Sequence, residues 1–296
     1  MIKAKTKQDT QIRLTARAVA VFLCLAVLLW STALGASAGE AYDFPEGSSP
    51  VNVSINGEQV LRGEAAIINS TTYVPLRSFS ELMGADSISW NAKTSTATVI
   101  KGELEIHVTG GALYIGANGR YFVTVQRILN INGRLFVPVR PLAKAFSSEV
   151  DWDGDTRTVL ITTTGKPLSA GSSFYSSDDL YWLARIIYAE AGGESLIGQI
   201  AVGNVVMNRK DSKQYPNTVY GVIFDRNGGT QFSPVSMGTI YNTPSQTSII
   251  AAKICLEGYS VDNKILFFMN PRIATSNWIS KNRPFAFTIG RHDFYY

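Results

Sequence analysis

The chain has 296 residues, 45% hydrophobic and 17% charged, which is the composition of a globular protein long enough for two domains. With two His and two Cys, one copy cannot build a three-His metal site, and we expect no Cys/His structural zinc site. The net charge of +4 arises within the first 38 residues, which hold five basic residues and one acid, while the remainder carries 22 of each sign. A nucleic-acid-binding function therefore lacks its electrostatic basis.

The N-terminal segment has the pattern of a secretory signal peptide. Residues 1–17 are polar and basic, residues 18–34 form an uncharged apolar run, and a small-residue cleavage site ends at Ala38. We expect residues 1–38 to be removed and the rest of the chain to be exported. The alternative is an uncleaved N-terminal anchor, because an apolar run of this length lies at the lower limit for spanning a bilayer.

Cleavage would also remove Cys24 and leave Cys255 as the thiol of the exported chain. An intramolecular disulfide is then impossible, so we expect the exported protein to depend on its hydrophobic core. Cys255 lies in an apolar helical pattern, which favours a small core residue over a nucleophile.

The exported part divides into two regions, and together they predict an α+β fold. After a linker at residues 39–50, residues 51–164 form short β-type runs with Asn-Gly turns, typical of a small β-rich module. A Gly/Ser/Pro-rich linker follows at residues 165–175. Residues 176–296 show mainly helical periodicity with a small β part.

The β-rich region contains an internal repeat. The Val-Pro-x-Arg motifs that end at Arg77 and Arg140 match each other, and Trp90 matches Trp152. Each copy predicts a β-α-β-β-like order in which the short helix begins after the proline. We expect each Arg to bind strand carbonyls rather than a ligand. We expect each Trp to pack in the core rather than to stack on a sugar ring.

On these motifs, residues 51–164 resemble the copper amine oxidase N-terminal-like domain. The resemblance implies a binding or spacer module in an exported protein. Copper oxidase chemistry needs several His ligands in a separate catalytic domain, whereas this region contributes His107 alone. We therefore expect no copper here.

A carboxylate stands out on the first long helix of the second region. Ser176 predicts the N-cap, and Gly192 predicts the helix end. At helical spacing, Glu190 falls at the edge of the apolar face, where burial can raise a carboxyl pKa and make a general acid. The alternative is an ordinary exposed glutamate. The apolar face consists of Leu180, Leu183, Ala184, Ile187 and Ala191.

Glu194 precedes a second helix that is apolar on nearly every face and is therefore predicted to be buried. It could stabilise the positive N-terminal end of that helix, or it could serve as a second catalytic carboxylate. We favour the first role.

The block ARIIYAEAGGES with the following QIAVGNVVMNR resembles the signature of the SleB-type spore cortex-lytic cell-wall hydrolases. Five further blocks continue the resemblance in the family's order through residues 176–296. The resemblance implies a lysozyme-like fold with Glu190 as the catalytic acid. Many members have a basic residue where Gly193 stands, so that loop or one of its contacts could differ. Residues in family blocks that are candidates for the substrate cleft are Gln231, Phe232, Ser233, Asn270, Trp278 and His292.

The implied reaction is cleavage of peptidoglycan between N-acetylmuramic acid and N-acetylglucosamine by a lytic transglycosylase. Glu190 would act first as acid and then as base, with no metal or cofactor. One alternative is simple hydrolysis, with Glu194 or an Asp positioning water. A non-catalytic wall-binding protein is the other. The expected partner is the glycan strand of spore cortex or vegetative wall, and the expected location is the cell wall or spore envelope. No protein partner follows from the sequence.

Overall fold

The computed structural model describes residues 42–296. The predicted signal peptide lies outside the described residues. In the described part, no helix combines the length and apolar character that a membrane span requires.

Seven strands of the β-rich region form one mixed sheet. The first and twelfth strands pair in parallel, with Val53 opposite Val159, and the other pairings are antiparallel. In spatial order, the strands are β11 (Ser148–Asp153), β12 (Thr158–Thr163), β1 (Ser49–Ile55), β2 (Glu58–Ile68), β3 (Thr71–Pro75), β10 (Arg134–Pro138) and β9 (Leu129–Ile131).

A second, five-stranded sheet is an antiparallel meander in which each strand pairs with the next one along the chain. Its first strand carries Trp90, and its last strand carries Arg120. The strands are β4 (Ser87–Asn91), β5 (Thr96–Lys101), β6 (Leu104–Thr109), β7 (Tyr114–Ala117) and β8 (Arg120–Val123). One continuous hydrophobic core joins the two sheets.

The predicted repeat is confirmed in its order of elements. The two Val-Pro strands, β3 and β10, pair antiparallel with Val74 opposite Val137. Each runs into a seven-residue helix with proline at the N-cap, α1 (Leu76–Leu82) and α2 (Val139–Ala145). Two strands joined by a turn follow each helix, as predicted from the spacing.

The prediction that both repeat tryptophans pack in the core is wrong. Trp90 is 50% exposed and Trp152 is 42% exposed. Both lie on edge strands, β4 and β11, which have a neighbouring strand on one side only. Arg140 does bind a strand carbonyl, since its Nη1 donates to the Val150 oxygen at 3.0 Å. Arg77 instead forms an exposed pair with Glu81 one turn away, at 3.5 Å.

The second region consists of helices around a buried central helix, α5 (Leu196–Asp211), which is buried along most of its length as predicted. Ser176, Ser195, Thr218 and Ser245 accept capping hydrogen bonds at four helix starts. The other helices are α3 (Gly171–Phe174), α4 (Ser177–Ala191), α6 (Val219–Phe224), α7 (Ser233–Met237), α8 (Gln246–Leu256) and α9 (Trp278–Asn282).

Three helices meet closely at Gly203. A Cβ placed there would lie 2.7 Å from the Cys255 Sγ and 2.8 Å from the Ile187 Cδ1. Glycine therefore sets the distance at which α5 packs against α4 and α8. Cys255 is buried, as predicted, and burial raises the pKa of its thiol.

A three-stranded antiparallel sheet completes this region, with β15 (His292–Tyr295) between β13 (Phe267–Met269) and β14 (Phe285–Ile289). The helices and this sheet share a small core that includes Ala191 and Phe294. The predicted α+β class is confirmed.

The β-rich region contacts the helical region through a buried ion pair. Arg120 on β8 donates from Nε and Nη2 to the two carboxylate oxygens of Glu257, each at 2.7 Å. The Tyr175 hydroxyl donates to the same carboxylate at 2.7 Å, and Lys144 lies 3.5 Å away. Burial by itself would raise the Glu257 pKa, but these partners lower it. The carboxylate, 3% exposed, therefore stays ionised between the two regions.

Candidate active site

Glu190 lies in the last turn of α4, immediately before Ala191, which packs in the small core under the three-stranded sheet. The side chain is partly buried, and burial raises its pKa to about 7. No cation among the described residues offsets this burial. The raised pKa matches the expectation drawn from the position of Glu190 at the edge of the apolar face.

A carboxyl with a pKa near neutrality exchanges its proton easily at the pH of most cells. Its protonated form can donate to a leaving oxygen, and the carboxylate left behind can accept a proton in the next step. Glu190 therefore has the electrostatic property that a single acid–base group needs.

Glu194 lies directly before Ser195, the N-cap of the second helix, and is held by an ion pair with Arg291. Its Oε1 accepts from the Arg291 Nε at 2.6 Å, and its Oε2 accepts from the Arg291 backbone N–H at 3.2 Å. Burial alone would raise the Glu194 pKa, but the hydrogen bonds and charge of Arg291 lower it. Ser195 provides the capping oxygen, which it offers to Gly198. Both carboxylate oxygens of Glu194 are therefore engaged by another residue.

Gly193 lies beneath the same arginine. The Arg291 Nη2 donates to the Gly193 carbonyl at 3.1 Å, and a Cβ at position 193 would lie 2.7 Å from that nitrogen. The arginine of the last hairpin thus occupies the space beside the glycine. A larger residue at position 193 would therefore have to displace Arg291.

Two of the predicted cleft residues lie in an aromatic cluster inside the domain. Phe232 is 2% exposed and His292 is 6% exposed. Both adjoin Phe268, at ring-centroid distances of 6.3 Å and 5.5 Å. Burial lowers the His292 pKa, so the ring is neutral at pH 7. Its Nδ1 is buried and has no hydrogen-bond partner among the described residues.

The other predicted cleft residues lie nearer the surface. Gln231 uses its amide within the fold, because its Nε2 donates to the Asn227 carbonyl at 2.8 Å. Asn270 shapes its own turn by accepting from the Arg272 backbone N–H at 3.1 Å. Ser233 is exposed at the start of α7, and Trp278 is 51% exposed at the start of α9.

Sequence reasoning missed Arg209, which links several of these candidates. It is 5% exposed, and its Nε donates to the Leu266 carbonyl at 2.7 Å. Its Nη1 approaches the Gln231 Oε1 at 3.4 Å, and its guanidinium lies 5.2 Å from the Phe232 ring centre. Burial lowers its pKa. The sequence feature that could have identified Arg209 is its position as a basic residue in the last turn of a helix that is predicted to be buried.

An aromatic patch on α4 and its neighbours was also missed. The Trp182 ring meets four other rings edge-on, at centroid distances between 4.9 Å and 6.2 Å. Three of these rings are between 45% and 62% exposed, and such a surface suits contact with sugar rings. The four rings are Tyr181, Tyr220, Phe224 and Tyr241.

Comparison with known proteins gives two family matches. Residues 193–295 match the family described as Cell Wall Hydrolase, and residues 54–161 match the Copper amine oxidase N-terminal domain. Both resemblances drawn from the sequence are confirmed by these matches. The first match begins three residues after Glu190 and includes Glu194.

Two curated relatives are described as spore cortex-lytic enzymes. The chain is 40% identical over 120 residues to a spore cortex-lytic enzyme of Bacillus cereus, which covers 40% of this chain and 45% of that protein. It is 38% identical over 120 residues to the spore cortex-lytic enzyme of Bacillus subtilis, covering 40% of this chain and 38% of that one. The chain thus spans less than half the length of these two relatives.

Among solved structures, the catalytic domain of the germination-specific lytic transglycosylase SleB from Bacillus anthracis is 38% identical. The match covers 44% of this chain and 100% of that domain, with a TM-score of 0.38.

Proposed function

Because the chain carries a cell wall hydrolase domain, preceded by a copper amine oxidase N-terminal domain, we propose that it is an exported enzyme that degrades peptidoglycan. The observation that carries the proposal is Glu190, a partly buried carboxyl with no ion-pair partner in residues 42–296, whose pKa is raised to about 7 beside the family-matched segment. The names of the relatives, spore cortex-lytic enzymes, favour cortex or wall glycan as the substrate.

The proposed reaction is a lytic transglycosylation in two steps. Protonated Glu190 gives its proton to the glycosidic oxygen, the bond from that oxygen to the muramic acid C1 breaks, and the leaving sugar departs with a free hydroxyl. The Glu190 carboxylate then takes the proton of the muramic acid 6-hydroxyl while that oxygen bonds to C1. The product is a 1,6-anhydromuramyl end, and Glu190 regains its proton.

Simple hydrolysis is the competing reaction, in which water replaces the 6-hydroxyl. An inverting hydrolase needs a second carboxylate to activate that water. The obvious second carboxylate, Glu194, accepts hydrogen bonds from Arg291 on both of its oxygens. This ion pair fixes the position of Glu194 and lowers its pKa, so we favour the mechanism that uses Glu190 alone.

The test is mass spectrometry of soluble products after incubation of the enzyme with purified spore cortex and, separately, with vegetative sacculi. We expect anhydromuramyl fragments from wild-type protein and none from the Glu190→Gln variant. Asp179→Asn is the matched control, since Asp179 lies in the first turn of the same helix. Reducing-end products would show that water, and not the muramic acid 6-hydroxyl, attacks C1. Lysis that survives Glu190→Gln would refute the assignment of the acid.

A further inference from the structure

A cavity lies where the β-rich region meets the helical region. Its volume is about 510 Å³, which falls in the range of sites for small ligands. Its walls come from the turn between β2 and β3, the start of α2, strand β11 and the C-terminal end of α8. Glu190 does not line it. The lining residues on which the argument depends are Ser70, Arg140, Trp152, Glu257 and Tyr259.

The chemistry of the cavity suits a sugar. The indole of Trp152 is 42% exposed and offers a flat apolar face on which a pyranose ring can stack. Ser70, in the turn between β2 and β3, lines the same cavity and supplies a hydroxyl that can accept from sugar hydroxyls. The Arg140 Nη1 donates to the Val150 carbonyl, and the other N–H groups of the guanidinium can donate to sugar hydroxyls. Aromatic face, acceptor and donor together are the groups that hold a neutral, hydroxyl-rich ring.

The internal repeat shows that this cavity belongs to one copy. Trp90 and Arg77 hold the equivalent positions in the first copy, and neither lines the cavity. Trp90 lies on the five-stranded sheet, and Arg77 pairs with Glu81. The second copy differs because the end of α8, with Glu257 and Tyr259, closes the cavity from the helical region. The site therefore exists where the two regions are in contact.

We propose that this cavity binds one sugar residue of a peptidoglycan glycan strand, as a site separate from the catalytic carboxyl. The choice of a glycan rests on the proposed function, while the choice of a sugar rests on the lining groups. A strand held here and cleaved at Glu190 is engaged by both regions of the enzyme. The β-rich region then contributes directly to substrate binding.

The test uses the complete chain carrying Glu190→Gln, so that glycan is bound without being cut. Soluble, uncross-linked glycan oligosaccharides prepared from sacculi are titrated while tryptophan fluorescence is recorded. Because the catalytic cleft also takes glycan, the relevant signal is the part that disappears in Trp152→Phe. Trp90→Phe is the matched control and should keep the full signal. By calorimetry, we expect Trp152→Ala to weaken the cavity-site Kd about tenfold and Trp90→Ala to leave it unchanged.

Each result decides. Loss of affinity in Trp152→Ala but not in Trp90→Ala supports the site. Equal binding by Trp152→Ala and its parent overturns it, and so does an equal loss in both alanine variants. If Trp152→Ala folds poorly, Arg140→Gln tests the same site and should also weaken glycan binding, while its control Arg77→Gln should not. Lysis by wild-type enzyme without Trp152-dependent binding refutes this inference alone. Trp152-dependent binding without lysis refutes the proposed function alone.

Discussion

Burial of Glu190 raises its pKa, which suits the side chain to acid catalysis and lowers the stability of the fold when the carboxyl ionises. Its pKa of about 7 follows from loss of water around the carboxyl, with no nearby cation to favour ionisation. Sequence reasoning could place this residue because helical spacing alone locates the edge of an apolar face. It could not find the Arg291 contact to Glu194, because those residues are far apart in the chain and meet through the last hairpin.

The first prediction concerns the pH dependence of cleavage. Glu190 must be protonated to act as the acid, so activity should fall as pH rises through about 7. We expect kcat/KM on soluble glycan to drop about tenfold per pH unit above that value. A rate that rises steadily through this range would contradict the role of acid. Asp179→Asn should leave the profile unchanged.

The second prediction concerns stability. A carboxyl whose pKa is higher in the folded state than in the unfolded state favours folding at low pH and loses that contribution as pH rises from about 4.5 to about 7. Glutamine stays neutral throughout. Glu190→Gln should therefore be more stable than wild type by about 2–3 kcal/mol at pH 8 and similar to it at pH 4. Urea unfolding at the two pH values measures the difference. Equal stability at pH 8 would mean that the carboxyl is well solvated.

At the scale of helices and strands, short sequence patterns predicted where most of the elements begin and in what order they follow. Proline-started helices, serine caps and the repeat order follow from residues close in sequence, and the structure has them where the spacing places them. The exposure of Trp90 and Trp152 could not be read this way. Whether a strand lies inside a sheet or at its edge depends on pairings between distant segments, such as β1 with β12.

The third prediction tests the helix crossing at Gly203. Gly203→Ala puts a methyl group within 3 Å of the Cys255 Sγ and the Ile187 Cδ1, so helices α4, α5 and α8 must separate. We expect a loss of about 1–3 kcal/mol in the free energy of unfolding. Cys255→Ala in the same chain should restore part of it by removing the sulfur. Additive effects of the two substitutions would contradict a direct clash.

At the scale of the whole molecule, a buried carboxylate is one of the contacts that join the two regions. Glu257 accepts from Arg120 and Tyr175, and no sequence pattern announced this pairing because its members are 137 and 82 residues away. Residues 165–175, predicted to be a linker, include α3, where the Gly171 N–H donates to the Asn118 carbonyl at 2.8 Å. Family resemblance could identify each region but not the contact between them.

The fourth prediction removes this pairing. Arg120→Ala leaves the Glu257 carboxylate buried with weaker partners, which should cost about 3–5 kcal/mol. Denaturant unfolding followed by fluorescence should then show two separate transitions where wild type shows one. The exposed Arg62 provides the control, and Arg62→Ala should unfold like wild type. A single unchanged transition in Arg120→Ala would show that the regions do not need this contact.

The parallel pairing of β1 with β12 affects the order in which the seven-stranded sheet can form. The Ser49–Ile55 strand can pair with β2 at once, but its other neighbour, Thr158–Thr163, lies about a hundred residues further along the chain. Closing so long a loop comes late in folding. The seven-stranded sheet therefore stays incomplete until the chain has extended past residue 158.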